Sequence, residues 1–238
     1  MDLRSLIVPG TNVLFIAPHP DDECDNSGAL IRAVLDLGAD VYVVYMTDGS
    51  MGSPNPAERG PGLASVRRAE ALEALRVLGI PEERAAFLNY PDSRLAEHVD
   101  EASRQLADII TRLRPSVIVV PSEFEEHPDH LASYVATRRA ALSSGCGCLL
   151  LKYTNYAPRS PLRRLQLYLE RLFRSLSVDA REYVGLKLAC MAAHRSQLLH
   201  MPYWDARNVL LAKREVYIIE RAAGQAGGAA GPPRSTSS

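Results

Sequence analysis

Cysteine, tryptophan and phenylalanine are scarce, at four, one and four of 238 residues. Cys24, Cys146, Cys148 and Cys190 are too few and too unevenly spaced for a disulfide framework. Cys146-Gly147-Cys148 lacks the second paired cluster of a soft-metal site, so both residues are expected to be small buried side chains. Cys24 is expected to be structural. Long apolar runs are missing as well, and nothing reaches the length a bilayer demands. Met1-Asp2-Leu3-Arg4 carries no apolar signal region, so the expected location is cytoplasmic. Charge of one sign is missing too: 27 Lys and Arg oppose 28 Asp and Glu, which removes any global argument for nucleic acid as a partner. No G-x-G-x-x-G follows the first strand and no G-x-x-x-x-G-K-[ST] occurs. Gly49 to Gly52 is too sparse to cradle a pyrophosphate, which speaks against a dinucleotide oxidoreductase or an NTPase.

What is present is a pair of polar clusters, each placed just after an apolar run. Val13-Leu14-Phe15-Ile16 leads into Ala17-Pro18-His19-Pro20-Asp21-Asp22-Glu23. Val117-Ile118-Val119-Val120 leads into His127-Pro128-Asp129-His130. Apolar runs of this kind read as buried parallel strands, and ligands of open α/β folds gather at the carboxyl ends of such strands. Several carboxylates at the end of a core strand cost desolvation unless a cation compensates them. Two histidine–carboxylate clusters at matching positions therefore point to a metal-dependent hydrolase.

Strand-like and helix-like segments alternate, which is the pattern of a parallel α/β sheet in one domain. Strands are expected over 13–17, 41–46, 86–88, 117–120, 149–153 and 216–219. Helices are expected from about 26 to 37, then over 64–78, 99–113, 128–142, 162–176 and 180–199. The domain is expected to span 1–221. A Gly-, Ala-, Pro- and Ser-rich tail over 222–238 is expected to be disordered.

A catalytic zinc keeps three protein ligands and an open position for water. His19, one of Asp21 and Asp22, and one of His127 and His130 are the best donors, the other members of each pair being left to face the water and the substrate. Zinc and ferrous iron both suit such a set. Asp129 reads equally well as an acid favoured by a helix amino terminus. Arg67 and Glu70 read equally well as a solvated ion pair, and Asp92 as a turn former. Tyr203 and Trp204 are aromatic platforms for a sugar, although core packing is the better reading.

These motifs resemble the LmbE-like, or PIG-L, deacetylase family. Thr47-Asp48-Gly49, Arg67-Arg68-Ala69-Glu70, Pro91-Asp92, Lys187 and His194-Arg195-Ser196-Gln197 add to the resemblance. It implies a Rossmann-like, largely parallel sheet with helices on both faces, and metal-dependent removal of N-acetyl groups from amino sugars. Carried over by position, it implies His19, Asp22 and His130 as ligands of Zn2+, Fe2+ or another divalent metal. It implies Asp21 as general base, His127 as the group that stabilises or protonates the tetrahedral intermediate, and Asp129 as the neighbour of His127. Arg67 and Asp92 would hold the sugar. Ser93 stands where the family commonly has Gly. The implied partner is a small-molecule or lipid-linked amino sugar; a homo-oligomer stays open.

The segment 162–176 is a basic amphipathic helix, with Leu162, Leu165, Tyr168, Leu169, Leu172, Phe173 and Leu176 on one side. Its apolar face is expected to pack on the domain or on a second subunit, and peripheral membrane contact is the less favoured alternative.

Overall fold

Strand β1 (Asn12–Ala17) is apolar on both faces because it lies in the middle of the molecule, and every side chain from Val13 to Ala17 is buried. Val13, Phe15 and Ala17 enter one core layer, while Leu14 and Ile16 enter the other. The computed structural model describes residues 2–25, 27–198 and 213–222. In it, β2 (Asp40–Thr47), β3 (Ala85–Tyr90), β4 (Val117–Pro121), β5 (Leu149–Tyr153), β6 (Ser175–Asp179) and β7 (Arg214–Arg221) join β1 in one sheet. The order is β3-β2-β1-β4-β5-β7-β6. The first five strands pair parallel, and β7 runs antiparallel to both β5 and β6.

Helices cover both faces, as the parallel pattern requires. On one face, α3 (Gly28–Asp36), α4 (Pro61–Leu78) and α8 (Val184–Ala193) contribute Ala29, Leu30, Ala71, Leu75, Leu78 and Cys190 to the core. On the other, α5 (Val99–Leu113) and α6 (Pro128–Ser144) contribute Leu106, Ile110, Ala132 and Ala136. Pro128 sits in the first turn of α6, and Gly145, at φ 64°, ends it. Because β2 and β4 flank β1, the winding reverses between β1 and β4. A crevice opens there at the strands' carboxyl ends, and both polar clusters border it.

Several expectations need correction. The helix expected from about 26 to 37 is α3, but a short unexpected helix, α2 (Asp22–Asp25), precedes it, and Asn26 lies outside the described residues. The helix expected over 162–176 is α7 (Pro161–Phe173), followed by β6. Ser175-Leu176-Ser177-Val178 alternates with period two, so Leu176 is buried as a strand residue. The helix expected over 180–199 begins at Val184, breaks at His194 and resumes as α9 (Arg195–Leu198). Ala222, assigned to the tail, is buried, and its N–H donates to the Cys148 carbonyl at 3.0 Å. Residues 223–238, and Tyr203 and Trp204, lie outside the described residues.

The cysteines also depart from expectation: Cys24 bonds Cys190 and Cys146 bonds Cys148. The first pair is 166 residues apart in sequence and 5.7 Å apart at Cα, brought together by the packing of α2 on α8. No spacing argument could find it.

Candidate active site

The site grows from the loop after β1. Asp21 has φ 140°, a conformation that non-glycine residues seldom adopt and that costs about 1–3 kcal/mol unless its surroundings impose it. Those surroundings are visible. The Asp21 N–H donates to Glu23 Oε2 at 3.0 Å, and Glu23 Oε1 lies 2.6 Å from His194 Nε2, all of them buried. Arg67, reaching in from α4, donates through Nη2 to Asp21 Oδ2 at 2.9 Å and to the Pro20 carbonyl at 2.7 Å. Its Nη1 donates to the Gly49 carbonyl at 3.0 Å. Arg67 is thus 2% exposed and is no solvated partner of Glu70. Glu70 instead accepts from the backbone N–H and hydroxyl of Ser196.

Asp22 turns the other way. Its Oδ2 lies 3.4 Å from His19 Nδ1, and its Oδ1 lies 3.4 Å from His130 Nε2. These contacts are long for hydrogen bonds. Ligand atoms held about 2.0–2.1 Å from one tetrahedral ion stand apart by about this much. Ring nitrogens of His19, His127 and His130 also lie within 4.8 Å of one another. Asp22 presents a different oxygen to each ring, and imidazoles with a carboxylate are donors that suit a zinc or ferrous ion. His130 Nδ1 is buried without a hydrogen bond, 3.8 Å from Glu125 Oε1.

Electrostatics separate the two neighbouring carboxylates. Burial pushes the Asp21 carboxyl up to about 7, against the pull of Arg67. Burial also acts on Asp22, but His130 and His19 overcome it and hold that carboxyl well below the usual range. Burial opposes the charged form of His19, yet contacts with Asp129, Asp22 and Asp92 hold its pKa well above the ordinary value. Burial, with His19 and His130 nearby, pushes His127 down to about 4. His127 Nδ1 accepts from the Asp129 N–H at 3.3 Å, which leaves the hydrogen of the neutral ring on Nε2.

Asp129 does not sit behind His127. Its Oδ2 lies 3.1 Å from His19 Nε2 and accepts from the Ser93 N–H at 2.7 Å, while Oδ1 accepts from the Leu95 N–H at 3.1 Å. Early in α6, it clamps the loop after β3 onto His19. Ser93 has φ 69°, which explains why glycine suits that turn. Asp92 accepts from the Met51 N–H at 2.9 Å and lies 3.5 Å from His19 Nε2.

His19, Asp21, Asp22, Arg67, Asp92, His127 and His130 therefore line one cavity of about 140 Å³, and Asp129 supports it from behind. Reasoning from sequence gave no role to Asn155, Tyr156 or Glu125. Asn155 Nδ2 donates to Asp22 Oδ1 at 3.1 Å, and Glu125 accepts from the backbone N–H groups of Asn155 and Tyr156. An acid two residues before His127 was the available signal for Glu125; Asn155 and Tyr156 lie in a loop with no pattern to read.

Comparison with known proteins identifies the family. The family model described as PIG-L, GlcNAc-PI de-N-acetylase, matches residues 14–141. A diacetylchitobiose deacetylase of Thermococcus kodakarensis is 34% identical over 50% of the chain and 44% of that relative. A 1D-myo-inositol 2-acetamido-2-deoxy-alpha-D-glucopyranoside deacetylase of Thermomonospora curvata is 30% identical over 79% of the chain and 80% of the relative. Among solved structures, the N,N'-diacetylchitobiose deacetylase of Pyrococcus horikoshii superposes with a TM-score of 0.70 at 25% identity, over 89% of this chain and 84% of its own. On the extent of the family match and the coverage of the Thermomonospora relative, the chain belongs to the PIG-L family.

Proposed function

We propose that the protein is a zinc-dependent N-deacetylase that releases acetate from an N-acetylated amino sugar of the GlcNAc type. The observation that carries this reading is the pairing of unlike carboxylates: Asp22 among the histidines, and Asp21 beside it with its pKa pushed up to about 7. Neighbouring titratable groups whose environments drive them apart mark an acid–base assignment. The relatives named above support the substrate class.

His19, Asp22 and His130 would hold the metal. When bound, it polarises the acyl carbonyl and eases deprotonation of water toward neutral pH. The remaining steps belong to the chain. Asp21 takes the proton of the attacking water, and Arg67, Glu23 and the constrained backbone aim its carboxylate. His127 is a neutral ring at pH 7 and donates its Nε2–H to the acyl oxygen as charge develops there. This replaces the alternative in which His127 protonates the intermediate. As the C–N bond breaks, the amine takes its proton from Asp21, which returns the one it accepted from water. Asp92 and Asp129 fix His19, and Asp92 keeps one edge of its carboxylate on the cavity for sugar hydroxyls.

A cavity of about 140 Å³ is below the roughly 300–1,000 Å³ of a site that engulfs a whole ligand. It suits a small acyl group with the sugar at the mouth, where a recess of about 480 Å³ bordered by His127, Asn155 and Tyr156 adjoins it. The cytoplasmic location expected from the sequence belongs to the same reading; none of the described helices is long and apolar enough to cross a membrane. In a reducing compartment Cys24 and Cys190 would rest as adjacent buried thiols. Acetate release by metal-reconstituted protein across a panel of GlcNAc conjugates tests the proposal. Release from at least one conjugate is expected, and release from none rejects it.

A further inference from the structure

Helix α7 is mounted with its polar side inward. Leu167 is its one buried residue, packed on Phe124 and Ile218, and Arg163 beside it donates to the Glu123 carbonyl. The apolar side faces away: Leu162, Leu165, Tyr168, Leu169, Leu172 and Phe173 are 42–76% exposed. These six make up nearly half of the thirteen exposed large apolar side chains among the described residues. Leu162, Leu165, Leu169 and Leu172 follow one another at spacings of three and four, so they form one stripe about 15 Å long. Scattered exposed leucines need no explanation, but a continuous stripe does. The expected packing of this face on the domain is therefore not observed among the described residues.

The charge around the stripe says what kind of surface covers it. Between 159 and 174 there are five arginines and one glutamate, in a chain whose net charge is −1. Arg163 and Arg164 are held by the Glu123 and Pro158 carbonyls, while Arg159 and Arg174 reach outward with side chains 92% and 70% exposed, each beside a single acid, Glu126 and Glu170. A second copy of α7 would set arginines against arginines. An anionic lipid surface takes the apolar side chains into its acyl boundary and pairs the arginines with its phosphates. We infer that α7 is a membrane-docking helix that lies in the interface of an anionic phospholipid bilayer. This holds whether or not the deacetylase reading does, but it has a consequence for the site. Tyr156 lines the cavity, and only five residues separate it from Leu162, so the stripe begins within about 20 Å of the cavity wall. Docking brings the cavity close to the lipid surface.

The test is co-sedimentation of the full chain with phosphatidylcholine vesicles, with and without phosphatidylglycerol in equal part. Binding to the anionic vesicles is expected, weakening as salt rises. The pair Leu165→Gln and Leu172→Gln should lower the partition coefficient about tenfold or more with an unchanged melting temperature. The pair Arg159→Gln and Arg174→Gln should lower it about tenfold and remove the preference for phosphatidylglycerol. Absence of binding to either vesicle overturns the inference. So does a wild-type dimer that the leucine pair splits into monomers without any effect on vesicles, which would give the face to a second copy. A large fall in melting temperature for the leucine pair without vesicle binding would give it to the chain itself.

Discussion

Asp21 and Asp22 are chemically identical neighbours, and only their surroundings give them different work. Asp21→Asn keeps the size of the side chain and the Arg67 contact on its remaining oxygen but removes the proton acceptor. Metal content should stay near wild type while kcat falls by about 10²–10⁴. A base must be ionised to act, so activity falls as pH drops through the pKa of Asp21, which burial sets at about 7 and which any bound cation lowers. The acid limb of kcat/KM should therefore lie at or below about pH 7 in wild type and be absent from Asp21→Asn. Metal loss in this variant, or near-normal turnover, would remove Asp21 from the role. A second substitution asks whether His127 is a ligand, since its ring nitrogen shares the 4.8 Å cluster with those of His19 and His130. His127→Ala should keep its metal by elemental analysis and lose about 10²–10³ in kcat, the usual worth of one oxyanion donor. If the metal leaves with the ring, His127 is a ligand. That His19, Asp21, Asp22, His127 and His130 would line one cavity could be read in the sequence because Pro-His-Pro-Asp-Asp and His-Pro-Asp-His stand at strand ends; which of them hold metal was implied only by the family resemblance. The partner of Asp129 could not, because a helix position says nothing about which of two nearby rings a carboxylate will reach.

At the scale of the element, the loop after β2 is shaped around one side chain. A Cβ on Gly52 would lie 2.1 Å from Arg67 Nη1, and one on Gly49 would lie 3.0 Å from the guanidinium. The glycines, too sparse for a phosphate cradle, make room for the arginine that holds the base. Gly52→Ala should push Arg67 away from Asp21. Losing a nearby cation raises a carboxyl pKa, so the acid limb should move to higher pH while kcat falls about tenfold or more. Gly62→Ala serves as the control, because a Cβ there meets nothing within 4 Å. An unmoved limb in Gly52→Ala would show that Arg67 does not set the protonation of Asp21. The elements themselves were legible where one period ruled. The helix over 99–113 and the strand over 149–153 match α5 and β5. Legibility failed at 175–179, where a helical period ran into an alternating one and the helix reading was carried too far. It failed again at His194, because the break that turns this ring toward Glu23 serves a contact 171 residues away in sequence.

For the whole molecule, what matters is that the two halves of the sheet meet at β1 and β4 and each delivers part of the site. Alternating strands and helices made the parallel sheet legible, but not the antiparallel pair β6 and β7 at its edge. That pair reaches the site indirectly: Glu215 of β7 accepts from the Ala29 and Leu30 N–H groups at the start of α3 and from Lys187. Lys187 also donates to the Asp25 carbonyl at 3.0 Å, which anchors the end of α2 beyond Asp22. The proposed ligand Asp22 is thus held by the scaffold whether or not an ion is bound. Chelation should abolish acetate release while leaving far-UV circular dichroism unchanged, with melting lowered only by the lost binding energy. A further consequence follows from His19, whose contacts with Asp129, Asp22 and Asp92 outweigh burial and keep it protonated above its ordinary range. An imidazole must lose its proton to bind metal, so proton and metal compete for the same ring. Metal affinity should therefore fall as pH drops, and near pH 7 binding should release protons, from His19 and from Asp21 as the cation lowers its pKa. Calorimetric titration of zinc into the metal-free protein, repeated in buffers of different ionisation enthalpy, counts those protons. A binding heat independent of buffer would mean that His19 is already neutral, and that the carboxylates around it are balanced by something other than its charge.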